Sequence, residues 1–360
     1  MGSYIVKRLL LMIPTLLGAL AITFLVTQFV PGGPVEQLIS KLDQNSQQDA
    51  QLNGGSENLS VDANGNSTYR GARGIDPAII KKWEKQFGFD KPPLERFGSM
   101  IWNYARFDFG DSYFQSKPVG QLILSKLPVS ISLGIWLMLI SYAISIPLGI
   151  AKAVREGTRF DVWTSAVISF GYAIPNFIFA IFLIVLFAGG SYWNWFPLRG
   201  LTSDNFSELS LLGKIGDYFW HLTLPLIAMG VSAFATTTLL TKNSFLDEIR
   251  KQYVITARAK GLSERRVLYG HVFRNAMLLV ISGFPGAFIS AFFTGSLLIE
   301  QVFSLDGLGL LTYKSAVNRD YAVVFASLWV FTLIGLFIAL ISDLMYTWID
   351  PRIDFESREV

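Results

Sequence analysis

Long apolar runs separated by polar connections dominate the chain. Six windows of about 20 or more residues contain no Asp, Glu, Lys or Arg, enough for a helix to cross a bilayer. Backbone groups in lipid must pair within their own segment, so each window is expected to be helical. Buried helices of a large soluble protein are the alternative, but they rarely run so long without a charged face. The predicted spans are 9–30, 127–151, 162–187, 222–241, 276–299 and 322–342.

Prolines recur inside these spans or at their ends, where they predict kinks that a helix bundle tolerates. They are Pro14, Pro128, Pro147, Pro175, Pro225 and Pro285. The pattern as a whole predicts an all-α membrane protein with six transmembrane helices and a large external segment.

The segment between the first two spans changes character along its length. Residues 42–74 are rich in Asn, Gln, Ser and Gly, a composition that buries too little apolar surface to fold, so a flexible insertion is predicted. Asp76 then begins a predicted amphipathic helix that ends at Gly88, and a second one runs from Leu94 to Tyr104. The lipid interface and the helix bundle are both candidate locations for these helices.

Lys and Arg are unevenly distributed among the short connections, and the richer side of the membrane is cytoplasmic. Cations precede the first span and follow the second and fourth spans, so both termini are predicted to be cytoplasmic. The predicted organisation is then an N-terminus with the first transmembrane helix, an external segment, a core with the other five spans and a cytoplasmic loop, and a cytoplasmic tail. These parts are 1–30, 31–121, 122–349 with its loop 242–275, and 350–360.

Composition excludes several classes of function. Charged residues make up 16% of the chain, against about 25% in soluble domains, and the mean hydropathy is +0.42. With no cysteine and two histidines, the chain has no disulfide framework, thiolate nucleophile or His-rich metal site. The net charge of +3 is too small for a nucleic-acid binder. The lipid bilayer is the predicted environment, and no nucleic acid is expected as a partner.

No catalytic motif is present. The only Gly-Lys pair, Gly213-Lys214, is followed by Ile215 and cannot form a phosphate-binding loop, so the chain does not bind ATP by itself. The six windows also contain no His, Asp, Glu or Lys, which disfavours a proton-coupled carrier and a membrane-embedded enzyme. We therefore predict no catalytic residue, no metal and no cofactor in this chain, and an energy source outside it if transport is active.

Small hydroxyl side chains are dense in the spans. Such residues usually pack helices together, but they can also line a polar translocation path. Thr294 and Ser296 in the fifth span are candidates for this path, and Glu300 beyond its end could attract a cationic group at the outer mouth. An ordinary interfacial acid is the alternative interpretation of Glu300.

The cytoplasmic loop 242–275 carries a helix–glycine–helix pattern. Phe245, Ile249, Tyr253 and Ala257 share one helical face, and Gly261 ends that helix. Ser263 can cap a second helix. Small residues near the corner would let a partner approach closely. A basic loop held near anionic lipid headgroups is the alternative, and the residues alone do not separate the two.

Motifs along nearly the whole chain resemble one family, the permease subunits of oligopeptide and dipeptide ABC importers. The strongest is the stretch 253–262, YVITARAKGL, followed by Arg274-Asn275-Ala276. The others are Pro31-Gly32-Gly33-Pro34, Asp90-Lys91-Pro92, Phe109-Gly110-Asp111-Ser112, Gly307-Leu308-Gly309, Arg319-Asp320-Tyr321 and Asp350-Pro351-Arg352.

The resemblance implies an ABC type I importer permease of the bacterial inner membrane, with 122–349 as its core. It implies a second homologous permease, two ATP-binding subunits or one fused ATPase that bind ATP and Mg, and an extracytoplasmic peptide-binding protein. The loop is similar to the EAA loop that contacts the ATPases. The implied coupling residues are Glu248, Tyr253, Thr256, Ala257, Arg258, Ala259, Lys260 and Gly261.

Within the family, Arg70-Gly71-Ala72-Arg73-Gly74 and the external insertion resemble a branch associated with oligopeptide and microcin C uptake. Ile255 and Thr256 depart from the family pattern, because they stand where the loop's name would place Glu and Ala. The motifs concern coupling more than substrate. A permease for another binding-protein-dependent substrate such as nickel, and a channel or facilitator without ATP coupling, therefore remain alternatives to an oligopeptide permease.

Overall fold

A computed structural model describes residues 2–30, 33, 35–40, 78, 80–81, 84, 90–115, 117–190, 192–284, 286 and 296–349. Helices form nearly all of the regular structure in these ranges. They are α1 Gly2–Phe29, α2 Pro93–Tyr104, α3 Val119–Val154, α4 Arg159–Ala173, α5 Asn176–Phe187, α6 Leu211–Ile249, α7 Gln252–Ala259, α8 Glu264–Val267, α9 Phe273–Ser282, α10 Ser296–Val302, α11 Leu308–Val317 and α12 Tyr321–Ile349. A π-helical turn, Leu268–Val272, joins α8 to α9.

Four of the helices, α1, α3, α6 and α12, are long and apolar enough to cross a membrane, and α4 with α5 makes a fifth if the bent pair counts as one span. Large apolar side chains such as Ile22, Val162 and Phe170 remain exposed along these helices. Such exposure is unfavourable in water and favourable in lipid, so the prediction of an all-α membrane protein is confirmed. The predicted fifth span, 276–299, lies partly outside the described residues.

The predicted third span is broken at Pro175 rather than kinked. The axes of α4 and α5 differ by 93°. Ile174, which precedes the proline, has an extended backbone with φ −85° and ψ 123°, as the proline ring requires of its neighbour. By contrast, Pro128, Pro147 and Pro225 lie inside continuous helices.

The chain divides into two compact units. One contains residues 1–8, 126–311 and 335–360, and the other contains 9–125 and 312–334. The first unit has two apolar clusters. One cluster lies where α3, α5, α6 and α10 meet, around Leu133, Leu183 and Ile299. The other lies at the ends of α3 and α6 and against α7 to α9, around Phe245, Val254 and Val272.

The second unit contains α2, which confirms the predicted helix from Leu94 to Tyr104. Tyr104 is buried and packs edge-on against Phe109, with ring centroids 5.1 Å apart. Phe24 of α1 packs against Phe97 of α2 at 5.1 Å. The amphipathic face of α2 therefore packs against helices of its own unit. The predicted insertion 42–74 and most of the helix predicted to begin at Asp76 lie outside the described residues.

Candidate functional site

Residues 248–275, within the loop predicted to be cytoplasmic, form a helical corner that we call the coupling corner after its predicted role. Helix α6 ends at Ile249, α7 begins at Gln252, and Gly261 separates α7 from α8. Gly261 has φ +80°, a left-handed conformation that costs an L-residue with a side chain about 1 kcal/mol or more. Its N–H donates to the carbonyl oxygen of Arg258 at 2.9 Å and so closes the turn.

One face of α7 is buried in the second apolar cluster. Val254 and Ala257 pack there with Phe245, and Ile249 and Tyr253 lie at its edge. The face predicted from the spacing is therefore the inward face of the corner. Ala257, one of the coupling residues that the resemblance implies, is 8% exposed and part of this core.

The opposite face of the corner is open. The exposed side chains there belong to Ile255, Thr256, Arg258, Ala259 and Lys260. Gly261 is also exposed and has open space where a Cβ would lie. Thr256, Ala259 and Gly261 are small, so another protein could approach the backbone closely at these positions.

Glu248 connects the end of α6 to the corner. Its carboxylate accepts a hydrogen bond from the hydroxyl of Tyr253 at 2.7 Å and one from Lys251 Nζ at 2.5 Å. Asn275 Nδ2 of α9 donates to the same hydroxyl at 3.3 Å. Burial, and then the hydrogen bond to Glu248, raise the pKa of Tyr253 above its ordinary value, so the phenol stays protonated and donating. The hydroxyl of Tyr253 therefore connects α6, α7 and α9.

Arg258 and Glu264 form an ion pair on the two sides of Gly261, with Arg258 Nε 2.9 Å from a carboxylate oxygen. Both side chains are largely exposed, so water screens the pair and it contributes little stability. The predicted coupling residues therefore separate into two groups. Glu248, Tyr253 and Ala257 build the corner, and Thr256, Arg258, Ala259, Lys260 and Gly261 lie on its open surface.

Glu300, a candidate for the substrate path, is fully buried. Its carboxylate accepts hydrogen bonds from the Leu310 N–H at 2.7 Å and the Ser130 hydroxyl at 3.3 Å, and Ser130 Oγ in turn accepts from the Leu308 N–H at 2.9 Å. The carboxylate therefore organises the turn between α10 and α11 rather than lying at an open mouth. Thr294 lies outside the described residues, and Ser296 is described only as the first residue of α10.

The sequence did not predict a buried ion cluster that joins the end of α3, the start of α4 and the later part of α6. Lys152 at the end of α3 is fully buried, and its Nζ lies 3.0 Å from Asp161 Oδ1 of α4. Lys242 of α6 donates to both carboxylate oxygens of Asp161, at 2.7 and 2.8 Å. In the sequence the two lysines counted only toward membrane orientation, and no local spacing brings them together with Asp161.

A second cluster lies between α5 and α6. Ser203 Oγ donates to a carboxylate oxygen of Asp217 and lies 3.1 Å from His221 Nε2. His221 Nδ1 lies 3.0 Å from the carbonyl oxygen of Gly200. These are the three residue types of a hydrolase triad, but the acid contacts the serine and the imidazole faces a backbone carbonyl. The arrangement therefore holds the 200–203 turn against α6. In the sequence, only the four-residue spacing of Asp217 and His221 indicates that these two side chains lie on one helical face.

The second unit contains a cavity of about 750 Å³ between α1, α2 and the start of α12. Arg96, Asn103, Asp108 and Asp111 are among its polar lining residues. Burial, followed by the nearby Asp320 carboxylate, raises the pKa of Tyr113 on its wall to about 12, so this phenol is neutral at physiological pH. The cavity can form hydrogen bonds and contact both signs of charge.

Comparisons with known proteins come from a family model and from full-length relatives. Residues 145–355 match the model described as binding-protein-dependent transport system inner membrane component. The peptidoglycan transport system permease protein YejB of Agrobacterium fabrum is 67% identical, with 100% of each chain covered. The inner membrane ABC transporter permease protein YejB of Escherichia coli O157:H7 is 57% identical over 99% of this chain and 100% of that one. The oligopeptide transport system permease protein AppB of Bacillus subtilis is 31% identical over the same shares.

Proposed function

The chain belongs to the inner membrane components of binding-protein-dependent transport systems and is a permease subunit of an ABC importer; from this premise we propose that it carries oligopeptides. It forms the translocation path together with a second homologous permease. The names of its full-length relatives support a peptide substrate, since they describe transport of peptidoglycan and of oligopeptides. Microcin C is a further proposed cargo.

ATP hydrolysis takes place in partner subunits, either two ATPases or one fused chain, which bind ATP and Mg. The observation that carries this proposal is the coupling corner, whose inner face is packed into the core and whose outer face is open. The ATPases dock on Thr256, Ala259 and Gly261. Closure of the ATPases on ATP pushes the corner, and α6 carries the displacement toward the membrane.

The proposed organisation follows the charge pattern of the connections. Both termini are cytoplasmic, 31–121 with its insertion 42–74 is external, and 122–349 is the transport core with the coupling loop 242–275. An extracytoplasmic peptide-binding protein delivers peptide to the external side. The cavity beside α2, with its mixed charges, is a candidate contact for that protein.

The test is reconstitution of the complete complex in liposomes, with ATP hydrolysis and peptide uptake measured together. Gly261→Pro removes the left-handed turn and its N–H, and Ala259→Trp blocks the open surface without entering the core. We expect each variant to lower stimulation of the ATPase by peptide-loaded binding protein about tenfold, a typical coupling loss. Gly190 is another exposed glycine with a positive φ, +71°, and it lies outside the coupling corner. Gly190→Pro is therefore the matched control for the backbone strain that proline introduces.

Three outcomes would overturn all or part of the proposal. Normal stimulation and uptake in both corner variants would remove the corner from coupling. Uptake without ATPase subunits, insensitive to vanadate, would identify a channel or facilitator. Uptake of nickel in place of peptide would keep the ABC permease and replace its substrate.

A further inference from the structure

The buried cluster of Lys152, Asp161 and Lys242 has no role in the function proposed above. It contains two cations and one anion, in a region where charges are costly unless paired and hydrogen-bonded. Its three residues come from three different helices, α3, α4 and α6. Ionic contacts between side chains of different helices limit the sliding of those helices against one another.

Lys152 is completely satisfied by α4. Its Nζ donates to Thr164 Oγ1 and Ser165 Oγ at 2.7 Å each and to the carbonyl oxygen of Asp161 at 2.9 Å, in addition to the carboxylate contact. An ammonium group has three N–H donors, and these acceptors use them all. The end of α3 is therefore bound to the first two turns of α4 even without Lys242.

Lys242 adds the connection to α6. Its ammonium lies against both carboxylate oxygens of Asp161, and its side chain is 15% exposed. Helix α6 continues unbroken from Lys242 to Ile249, a distance of about 10 Å at 1.5 Å per residue. At that end Glu248 binds Tyr253 of the coupling corner. Asp161 and the corner are thus attached to the same rigid segment of helix.

Close packing keeps this segment beside α3. A Cβ built on Gly149 of α3 would lie 2.6 Å from the Cβ of Thr241 and 2.9 Å from the carbonyl oxygen of Thr238. Ser145, one turn earlier, donates to the carbonyl oxygen of Phe234 at 3.2 Å. The backbones of α3 and α6 are therefore closely packed, and the ion cluster lies next to this contact.

We infer that Lys242 and Asp161 are positioning residues that transmit displacement of the coupling corner from α6 to α4, and through the 93° break to α5. The inference rests on the proposed function, because it assumes that partner ATPases move the corner. It adds an ionic contact between α6 and α4 to the packing of the two helices, and this contact lies between the corner and α4. The exposed pair between Arg250 and Glu156 contacts only the turn before α4.

Lys242→Met tests the route without leaving a buried charge alone, because Lys152 and Asp161 still pair. In the reconstituted complex we expect the amount of peptide transported per ATP hydrolysed to fall about fivefold, the lower end of coupling between sites. Lys242→Arg, which keeps the charge and both hydrogen bonds, is expected to restore the ratio. Glu156→Gln removes only the exposed pair and is the control with a normal ratio.

A purely structural role would lower the yield and thermal stability of the complex but not this ratio in the assembled fraction. If Lys242→Met does not assemble, Lys242→Gln also removes the ion pair with Asp161, while keeping a polar side chain and the pairing of Lys152 with Asp161. A normal ratio in whichever variant assembles overturns the inference. Gly261→Pro separates the two proposals: if it uncouples and Lys242→Met does not, the route fails and the proposed function stands.

The chain has no cysteine, so spin labels can report the motion directly. Cysteines at the exposed Arg159 of α4 and Arg265 of α8 place one label on each side of the tie. We expect one narrow distance distribution in each nucleotide state, and a broader one in Lys242→Met. Equal widths in both proteins would contradict the inference.

Discussion

Gly307 illustrates how strongly one buried carboxylate constrains its neighbours. A Cβ at this position would lie 2.5 Å from the carboxyl carbon of Glu300. Glu300 cannot move away without giving up its hydrogen bonds from Leu310 N–H and Ser130. We therefore expect Gly307→Ala to lower the free energy of unfolding by about 2 kcal/mol, as overpacking of a filled site does. Thermal unfolding of the purified protein measures this change.

Gly216→Ala is the control for Gly307→Ala, since Gly216 lies in α6 with open space around its missing Cβ. It should not destabilise the protein. The double variant Glu300→Ala with Gly307→Ala should be more stable than the sum of the single losses, because the clash is gone. If Gly307→Ala unfolds at the same temperature as the wild-type protein, the proposed clash with Glu300 is refuted.

Sequence reasoning placed Glu300 just beyond a predicted span but could not determine its environment. The charge-free window before it suggested an acid at an open mouth. The structure buries the acid because α11 folds back and supplies the N–H of Leu310. A partner ten residues away across a turn leaves no periodic signal, so its identity depends on tertiary structure. The substrate path remains a prediction.

At the scale of helices, the packing of α4 on α6 depends on a small residue. A Cβ on Gly171 would lie 2.7 Å from Val231 Cγ1, while Asn176, the first residue of α5, accepts a hydrogen bond from Ser232 at 2.9 Å. Both contacts hold the break at Pro175 against α6. We expect Gly171→Ala to destabilise the protein by about 1 kcal/mol, because the valine methyl can shift only part of the way.

A double-mutant cycle with Val231→Ala checks that contact. The smaller side chain makes room for the new methyl group, so the two changes should couple by about 1 kcal/mol in unfolding measurements. Strictly additive losses would show that Gly171 and Val231 do not share the space. The cycle also controls for the general preference of helices for alanine over glycine, which the Val231→Ala background leaves unchanged.

The sequence predicted the positions of the helices better than it predicted their bends. Charge-free windows identified α1, α3, α6 and α12 because lipid exposure imposes one composition along a whole span. Pro175 was expected to kink a helix, but its extended neighbour Ile174 breaks it by 93°, whereas Pro147 and Pro225 are accommodated. The proline ring has the same chemistry at each site. Neighbouring packing decides between kink and break, and a single sequence does not contain that information.

For the whole molecule, the family and the coupling corner were predictable because local motifs carry both. The stretch 253–262 specifies a helix, a left-handed glycine and an exposed face within a few residues of one another. The cluster of Lys152, Asp161 and Lys242 was not predictable, since Lys242 lies 81 residues from Asp161 and each lysine alone looks like a topology signal. A motif whose residues are close in sequence can be predicted from the sequence. A contact between residues of distant helices can be identified only from the three-dimensional structure.

Substrate choice belongs to the complete transporter, and there we expect the binding protein to select more strongly than this permease. The six charge-free windows offer no fixed ionic group to prefer one peptide side chain, and Glu300 is buried by its own hydrogen bonds. Exchanging the binding protein for one with a different peptide preference, with the permeases and ATPases unchanged, should therefore shift the relative uptake of two peptides about tenfold, or roughly 1.4 kcal/mol. Competition between labelled peptides in liposomes measures the shift, and a binding protein from an unrelated importer controls for docking. If the preference stays with the permease, the selecting groups lie in its spans, and hydroxyl positions of the fifth span are the first to substitute.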